Sequence, residues 1–185
     1  MNKRIFIING SGGVGKDTFV KHVKFAIDGY TKKEVWNFSS VDKVKEIATQ
    51  IGWDGSKTEK DRKFLSDLKV LTTEYNDMPF NSMKEQVAEF NKNKSAIFLF
   101  LHIREPKEIE RAKQEFNATT ILIKRDSVPH IVSNIADGGV FDYDYDIVVD
   151  NNGNKDDFEI KSYDIAYDLC FENVTKSHYV CKETK

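Results

Sequence analysis

Gly10, Gly12, Gly13 and Gly15, followed at once by Lys16, Asp17 and Thr18, are the residues whose types and spacing point most directly to chemistry. The run GSGGVGKDT has the form G-x-x-x-x-G-K. Glycines let successive backbone amides turn inward and surround the oxygens of an anion. Gly10, Ser11, Gly12, Gly13, Val14 and Gly15 would form that cradle. A helix opening at Lys16 would add the partial positive charge of its N-terminus. Lys16 itself brings a mobile ammonium to the β- and γ-phosphates of a nucleoside triphosphate. Asp17 stands where Ser or Thr is usual. Its carboxylate would hold Mg²⁺, directly or through water, or cap the helix. Thr18 would bind the α-phosphate or take over the hydroxyl role at the metal. The alternative is a glycine-rich turn that binds nothing, and the context of the run argues against it.

That context is a strand before the loop and a helix after it. Ile5 to Ile8 is a continuous apolar run, as expected of a strand buried on both faces. After the loop, Phe19, Val20, Val23, Ala26 and Ile27 recur at helical spacing, with Gly29 as the expected C-cap. Val35 to Phe38 reads as a second strand. Ser39 or Ser40 is placed to cap a helix over 41–51. A helix over about 59–75 carries Phe64, Leu65, Leu68 and Leu71, Met78-Pro79 breaks it, and another helix follows over 82–90. The most apolar run, Ala96 to Leu101, reads as the central strand within 95–103. Pro106 opens a helix reaching Phe116. Strands are expected over 119–124 and 147–149, then a turn at Asn151, Asn152, Gly153 and Asn154, then a helix over 160–171. The tail after Val174 is expected to be poorly ordered.

Alternating strands and helices imply an α/β fold, a three-layer α/β/α arrangement around a mostly parallel five-stranded sheet. The helical stretch of about 41–93 reads as a substrate-covering insertion in a single domain spanning 1–185. The length is enough to bury a substantial core. A net charge of −2 gives no basic field for a nucleic-acid polymer or an acidic membrane. No run approaches the roughly 18 apolar residues of a membrane helix. Two cysteines, Cys170 and Cys181, are expected as reduced thiols in a cytoplasmic protein rather than as a disulfide.

Gly15-Lys16-Asp17-Thr18 resembles the P-loop of phage-type deoxynucleoside monophosphate kinases, and is similar to that of the related phosphomevalonate and dephospho-coenzyme A kinases. Three further segments carry the resemblance through the chain. Phe38-Ser39-Ser40-Val41-Asp42-Lys43-Val44-Lys45 looks like the segment that begins the family's acceptor site, which implies substrate contacts for Ser39 and Asp42. Arg104-Glu105-Pro106-Lys107-Glu108 resembles an Asp-Val-Arg-x-x-x-Glu element, matching at Arg104 and Glu108. Residues 144–153 are similar to the last strand and its turn, which implies a place near the adenine for Asn152. One departure stands out: His102 replaces the acid that many relatives carry at the end of the central strand. That leaves Asp17 as the carboxylate expected nearest the metal, and gives His102 either a contact with an acceptor or a structural place in the strand.

Phosphoryl transfer brings negative groups together, so cations must surround them. Arg104, at the C-terminal end of the central strand where open α/β sheets bind ligands, is the expected acceptor-phosphate ligand. Its structural alternative is an ion pair with Glu105 or Glu108. Arg125 follows the fourth strand, where the resemblance implies an arginine on ATP phosphates. Arg62 on the inserted helix would reach the acceptor, or be a solvated surface arginine. Lys43 and Lys45 read as exposed helix charges. Asp142, Asp144, Asp146 and Asp150 fit no Ca²⁺ loop, and Cys170, His178 and Cys181 match no closed zinc site. The expected function is an ATP- and Mg²⁺-dependent small-molecule kinase acting on a phosphorylated acceptor, foremost a (deoxy)nucleoside monophosphate, with dephospho-coenzyme A as another acceptor. The competing reading is a nucleotide-binding regulator or slow NTPase. A homodimer is left open.

Overall fold

A strand that is apolar on both sides is stable only inside a sheet covered on both faces. In a computed structural model that describes residues 2–128, 139–171 and 177–179, β1 (Arg4–Asn9) takes that position. It lies between β3 (Ala96–His102) and β4 (Thr119–Lys124) and runs parallel to both. Beyond β4 come β5 (Ile147–Asp150) and β6 (Ser177–Tyr179), again parallel, and β2 (Glu34–Ser39) forms the opposite edge beside β3. The sheet therefore has six strands in the order β2-β3-β1-β4-β5-β6, one more than the sequence pattern predicts. The extra strand is β6. Its three residues, Ser-His-Tyr, are too few to show a strand period, and only pairing with β5 defines them.

One face of the sheet presents Phe6, Ile8, Phe98, Phe100, Ile121, Ile123, Ile147 and Val149. Two helices cover it: α1 (Lys16–Thr31), through Phe19, Val20, Val23 and Ile27, and α6 (Lys155–Phe171), through Phe158, Ile165 and Leu169. Phe6 stacks on Phe100 at 5.0 Å between ring centroids and meets Phe98 edge-on at 5.1 Å. Such pairs add to the area they bury. The residues that alternate with these, including Ile7, Leu99 and Leu101, are also buried. Helix α5 (Pro106–Phe116) packs on β1 and β4 through an apolar side bearing Ile109 and Ala112. The arrangement is a mixed α/β fold compatible with three α/β/α layers.

The chain divides into two compact units: Met1–Asn37 with Asn93–Lys185, and Phe38–Lys92. The second is helical and contains α2 (Asp42–Gln50), α3 (Glu59–Asn76) and α4 (Met78–Lys92), packed on one another. Thr58 and Asp61 close a capping box at the start of α3.

Several boundaries differ from the sequence reading. Helix α1 runs past Gly29 and ends at Lys32, which adopts φ 55° and donates its amide to Asp28. Neither serine caps α2: the residue before it is Val41, and the Asp42 carboxylate instead accepts the Ser39 amide at 2.8 Å. The break expected at Met78-Pro79 falls at Asp77, φ 55°, and α4 begins at Met78 rather than Ser82, with Pro79 in its first turn, where a missing N–H costs nothing. Helix α6 begins at Lys155 because the Asn154 side chain accepts the amides of Asp156 and Asp157 at 2.8 and 2.9 Å.

Asp146 is a structural carboxylate. It accepts the Thr120 amide and hydroxyl, each at 2.9 Å, and the Lys113 ammonium at 2.8 Å, tying α5 and β4 to the loop before β5. Partial burial works to raise its pKa, but the Lys113 and Thr120 hydrogen bonds outweigh that and hold the carboxyl below the ordinary carboxylate range. A depressed folded-state pKa contributes stability above the unfolded value, and that contribution is lost as pH falls through the folded value. Asp146→Asn should therefore be less stable than the natural chain at pH 7, with the difference shrinking below the ordinary value of 3.8 in acid-titrated urea unfolding. In the core, Phe100→Ala should cost about 3–5 kcal/mol in the same unfolding measurement at pH 7.

Candidate functional site

The glycine loop leaves β1 at a point where the backbone has no room for side chains. A Cβ on Gly10 would lie 2.5 Å from the Ile123 carbonyl oxygen of β4. Gly15, the N-cap of α1, has φ 103°, and a Cβ there would lie 2.7 Å from Asn151 Nδ2. Between them Val14 is buried and anchors the loop, while Gly12 and Gly13 are exposed. Lys16 folds back over the loop, its ammonium donating to the carbonyls of Gly10 at 2.5 Å and Ser11 at 2.9 Å. Asp17 and Thr18 follow in the first turn of α1, both exposed. The loop thus presents free-standing glycines, a helix N-terminus, one ammonium, one carboxylate and one hydroxyl within a few residues. Hard oxygen donors of that kind suit Mg²⁺, and glycine backbone suits phosphate.

Two buried asparagines hold the loop in place. Asn9, the last residue of β1, is fully buried. Its Oδ1 accepts the Gly10 amide at 2.8 Å, and its Nδ2 donates to the Arg104 carbonyl at 3.1 Å and the Tyr145 hydroxyl at 2.7 Å. Tyr145 in turn donates to the Val140 carbonyl at 2.9 Å. Burial pushes the Tyr145 phenol up to about 12, against a smaller opposing effect of Asn9, so it stays a neutral hydroxyl at ordinary pH. Asn151, just after β5, donates from Nδ2 to the Val14 carbonyl at 2.8 Å, and its own amide donates to Lys124 at 2.7 Å. Side chains thereby tie β1 to the loop after β3 and to the loop before β5, and the backbone amide of Asn151 ties β5 to β4.

The loop after β1 leads to α1, which packs on the Phe6 and Phe100 face, and the loop after β3 leads to α5. Strand order places this divergence between β1 and β3. Such a switch point opens a crevice at the C-terminal ends of the strands. Arg104 stands there, exposed, in the loop after β3. His102 ends β3, and its Nε2 lies 2.7 Å from Asn37 Oδ1 on neighbouring β2.

Other expected site residues are distributed more widely. Arg125 is exposed after β4, its Nε donating to Ser127 Oγ at 3.2 Å. The Asn152 side chain makes a reciprocal pair with Asp126, accepting its amide and donating to its carboxylate, both at 2.7 Å. Asn152 thus joins the loops after β4 and β5. Ser39, Asp42 and Arg62 belong to the helical unit. There the Ser39 amide donates to Asp42, Asp42 pairs with Lys45 at 3.4 Å, and Arg62 is exposed on α3. Cys170 carries a free thiol whose pKa burial raises. Cys181 and the His178 side chain lie outside the described residues.

Sequence reasoning did not single out Asn9, Asn37 or Tyr145, and read Asn151 only as a turn residue. A signal for Asn9 was present: a polar residue ending a fully apolar strand is buried and must find partners. No local pattern marks Tyr145 or Asn37, whose partners lie 136 and 65 residues away in sequence. No described helix is long and apolar enough to cross a membrane. No protein-family model matches this chain, and no curated protein matches it.

Removing the Asn151 amide leaves the Val14 carbonyl without its buried donor, a loss of about 1–3 kcal/mol. Asn151→Ala should accordingly speed amide exchange through residues 14–18 in hydrogen–deuterium exchange, more than at the β1 amides.

Proposed function

We propose that this protein is an ATP-dependent phosphotransferase of the P-loop kinase type that moves the γ-phosphoryl group to a small phosphorylated acceptor, foremost a (deoxy)nucleoside monophosphate. The observation that carries the proposal is the glycine loop between β1 and α1, with Gly10 and Gly15 in contacts no side chain would fit and the Lys16 ammonium lying across it. In that reading the loop amides and the α1 N-terminus receive the donor phosphates. Lys16 would exchange its carbonyl partners for phosphate oxygens, since a charged acceptor makes the stronger hydrogen bond. Asp17 and Thr18 supply the oxygens for Mg²⁺, which when bound would neutralise charge on the donor phosphates. Arg104, exposed in the loop after β3, would hold the acceptor phosphate against the donor, and orientation with charge stabilisation would account for the catalysis. Arg125 would add a second cation on the donor side, and Asn152 would border the base. Ser39, Asp42 and Arg62 are proposed for the acceptor. The resemblance to phage-type deoxynucleoside monophosphate kinases is what favours a nucleotide acceptor over dephospho-coenzyme A.

One observation favours a second reading, a nucleotide-binding regulator or slow NTPase. His102 occupies the strand end where the resembling kinases carry an acid, and its ring is engaged by Asn37. A site without that acid can bind nucleotide and turn over slowly.

Coupled ADP-release assays with ATP, Mg²⁺ and a panel of nucleoside and deoxynucleoside monophosphates and dephospho-coenzyme A distinguish the two. A kinase gives acceptor-dependent turnover, and Lys16→Ala should lower it by on the order of 10²–10³-fold. Binding of ATP that is lost in Lys16→Ala, with no acceptor-dependent turnover, would support the regulator. ATP affinity unchanged by Lys16→Ala would refute both.

A further inference from the structure

The dipeptide Asn-Gly occurs twice in the chain, at Asn9–Gly10 and at Asn152–Gly153, and the fold gives the two opposite surroundings. The dipeptide carries a chemistry of its own. A backbone nitrogen can attack the side-chain carbonyl carbon of the asparagine before it, and glycine leaves that approach open because it has no Cβ and turns freely. At Asn9 every group is engaged. The side chain is fully buried, its Oδ1 accepts the Gly10 amide at 2.8 Å, and its Nδ2 donates to the Arg104 carbonyl and the Tyr145 hydroxyl. Gly10 is buried too, with the Ile123 carbonyl against the place a Cβ would take. Its nitrogen has no water to take its proton, and the Asn9 side chain has no room to turn.

Asn152 is exposed and Gly153 half-buried, in the loop between β5 and α6. Among the described residues the Gly153 amide donates to no group, so its partner is water. The Asn152 side chain bonds to the amide and the carboxylate of Asp126, both at 2.7 Å. Those bonds lie in solvent, where water replaces a lost partner at little net cost. Once they open, the side chain can turn over its own backbone and bring its carbonyl carbon to the Gly153 nitrogen. The same dipeptide is thus locked at the end of β1 and reactive after β5.

We infer that Asn152 is a site of spontaneous deamidation, and that its conversion unties the loops after β4 and β5. The Gly153 nitrogen loses its proton to water and forms a bond to the Asn152 side-chain carbonyl carbon. The bond from that carbon to Nδ2 breaks, and Nδ2 takes a proton from water and leaves as ammonia. Water then opens the cyclic imide at one of its two carbonyls. The products are aspartate and its isomer, in which the main chain runs through the former side-chain carbonyl. Aspartate puts a carboxylate oxygen where Nδ2 stood, 2.7 Å from the Asp126 carboxylate. A carboxylate only accepts, so that hydrogen bond is lost and two like charges face each other. The isomer lengthens the main chain of the turn. The two loops carry Arg125 and Asn152, which the proposed function puts on the donor side. Weaker ATP binding after conversion rests on that reading; the chemistry at Asn152 does not.

The test is peptide mass spectrometry of the full chain aged at mildly alkaline pH, folded in one sample and in guanidinium chloride in another. Conversion is read as the mass gain when OH replaces NH2, and as a separate isoaspartyl peptide. The folded chain should convert at Asn152 and keep Asn9 intact, and the unfolded chain should convert at both. Gly153→Ala should slow conversion at Asn152 severalfold. An intact Asn152 in the folded chain would overturn the inference, as would equal conversion at Asn9 and Asn152. An Asn9 that stays intact in guanidinium chloride would show that the contrast does not come from the fold. Asn152→Asp reproduces the aspartate product and should speed hydrogen–deuterium exchange through residues 125–128. Adding Asp126→Asn exchanges donor and acceptor and should restore slow exchange; exchange unchanged by Asn152→Asp would overturn the untying of the loops. ATP titration of Asn152→Asp should show weaker binding, and an unchanged affinity beside faster exchange would count against the donor-side place of Asn152 alone.

Discussion

The amide of Asn9 is the interaction on which the strand-end architecture depends. It is a fully buried polar group at the tip of β1, and burying an amide without partners costs several kcal/mol. Three partners satisfy it: the Gly10 amide, the Arg104 carbonyl and the Tyr145 hydroxyl. Each belongs to a different connection, so a single side chain sets where the loops after β1 and β3 and the loop before β5 stand relative to one another. Asn151 repeats the device from β5, reaching the Val14 carbonyl within the glycine loop. The loop is consequently held from beneath by side-chain amides, while its exposed glycines keep their surface toward solvent.

This support matters for the proposed chemistry because phosphate binding by backbone amides works through preorganisation. Amides that must first be turned inward give back much of what they gain. Gly10 and Gly15 allow the turn, the β4 backbone and Asn151 crowd it, and Lys16 lies across it. The same logic separates the parts of the site. His102 ends β3, a strand buried along its length, and Arg104 stands in the loop two residues on. Arg125 and Asn152 stand on loops tied to each other through Asp126. Phe19 and Phe158, early in α1 and α6, meet at 6.4 Å, so both helices also seat the glycine loop.

Sequence patterns were read well where the signal is local and periodic. The apolar runs of β1, β3 and β4 marked a buried parallel sheet, because a strand covered on both faces needs apolar residues at every position. Pro106 and Phe116 bounded α5 because a proline at a helix start and an apolar face with helical spacing are both short-range features. Boundaries failed where two signals competed. Gly29 looked like a cap, yet Lys32 takes the left-handed turn because a further turn of α1 keeps Thr31 bonded to Ile27. The break before Met78-Pro79 was read, but the start of α4 was placed at Ser82 instead of Met78, because the first turn of a helix has no use for the N–H that Pro79 lacks.

By itself, the sequence determined the α/β class, the buried strands β1, β3 and β4 and the segment of glycines ending in Lys16, because each is written in residue type and spacing within a dozen positions; it did not place β3, expected at the centre of the sheet and found second from its edge. The tertiary structure alone decided the strand order, the addition of β6 and the partners of Asn9, Asn37, Tyr145 and Asn151. It also decided that Asp146 braces the fold and that Asn152 pairs with Asp126. Those facts rest on contacts between residues far apart in the chain, which form only once parallel pairing brings the strand ends side by side and burial compels every polar group there to find a partner.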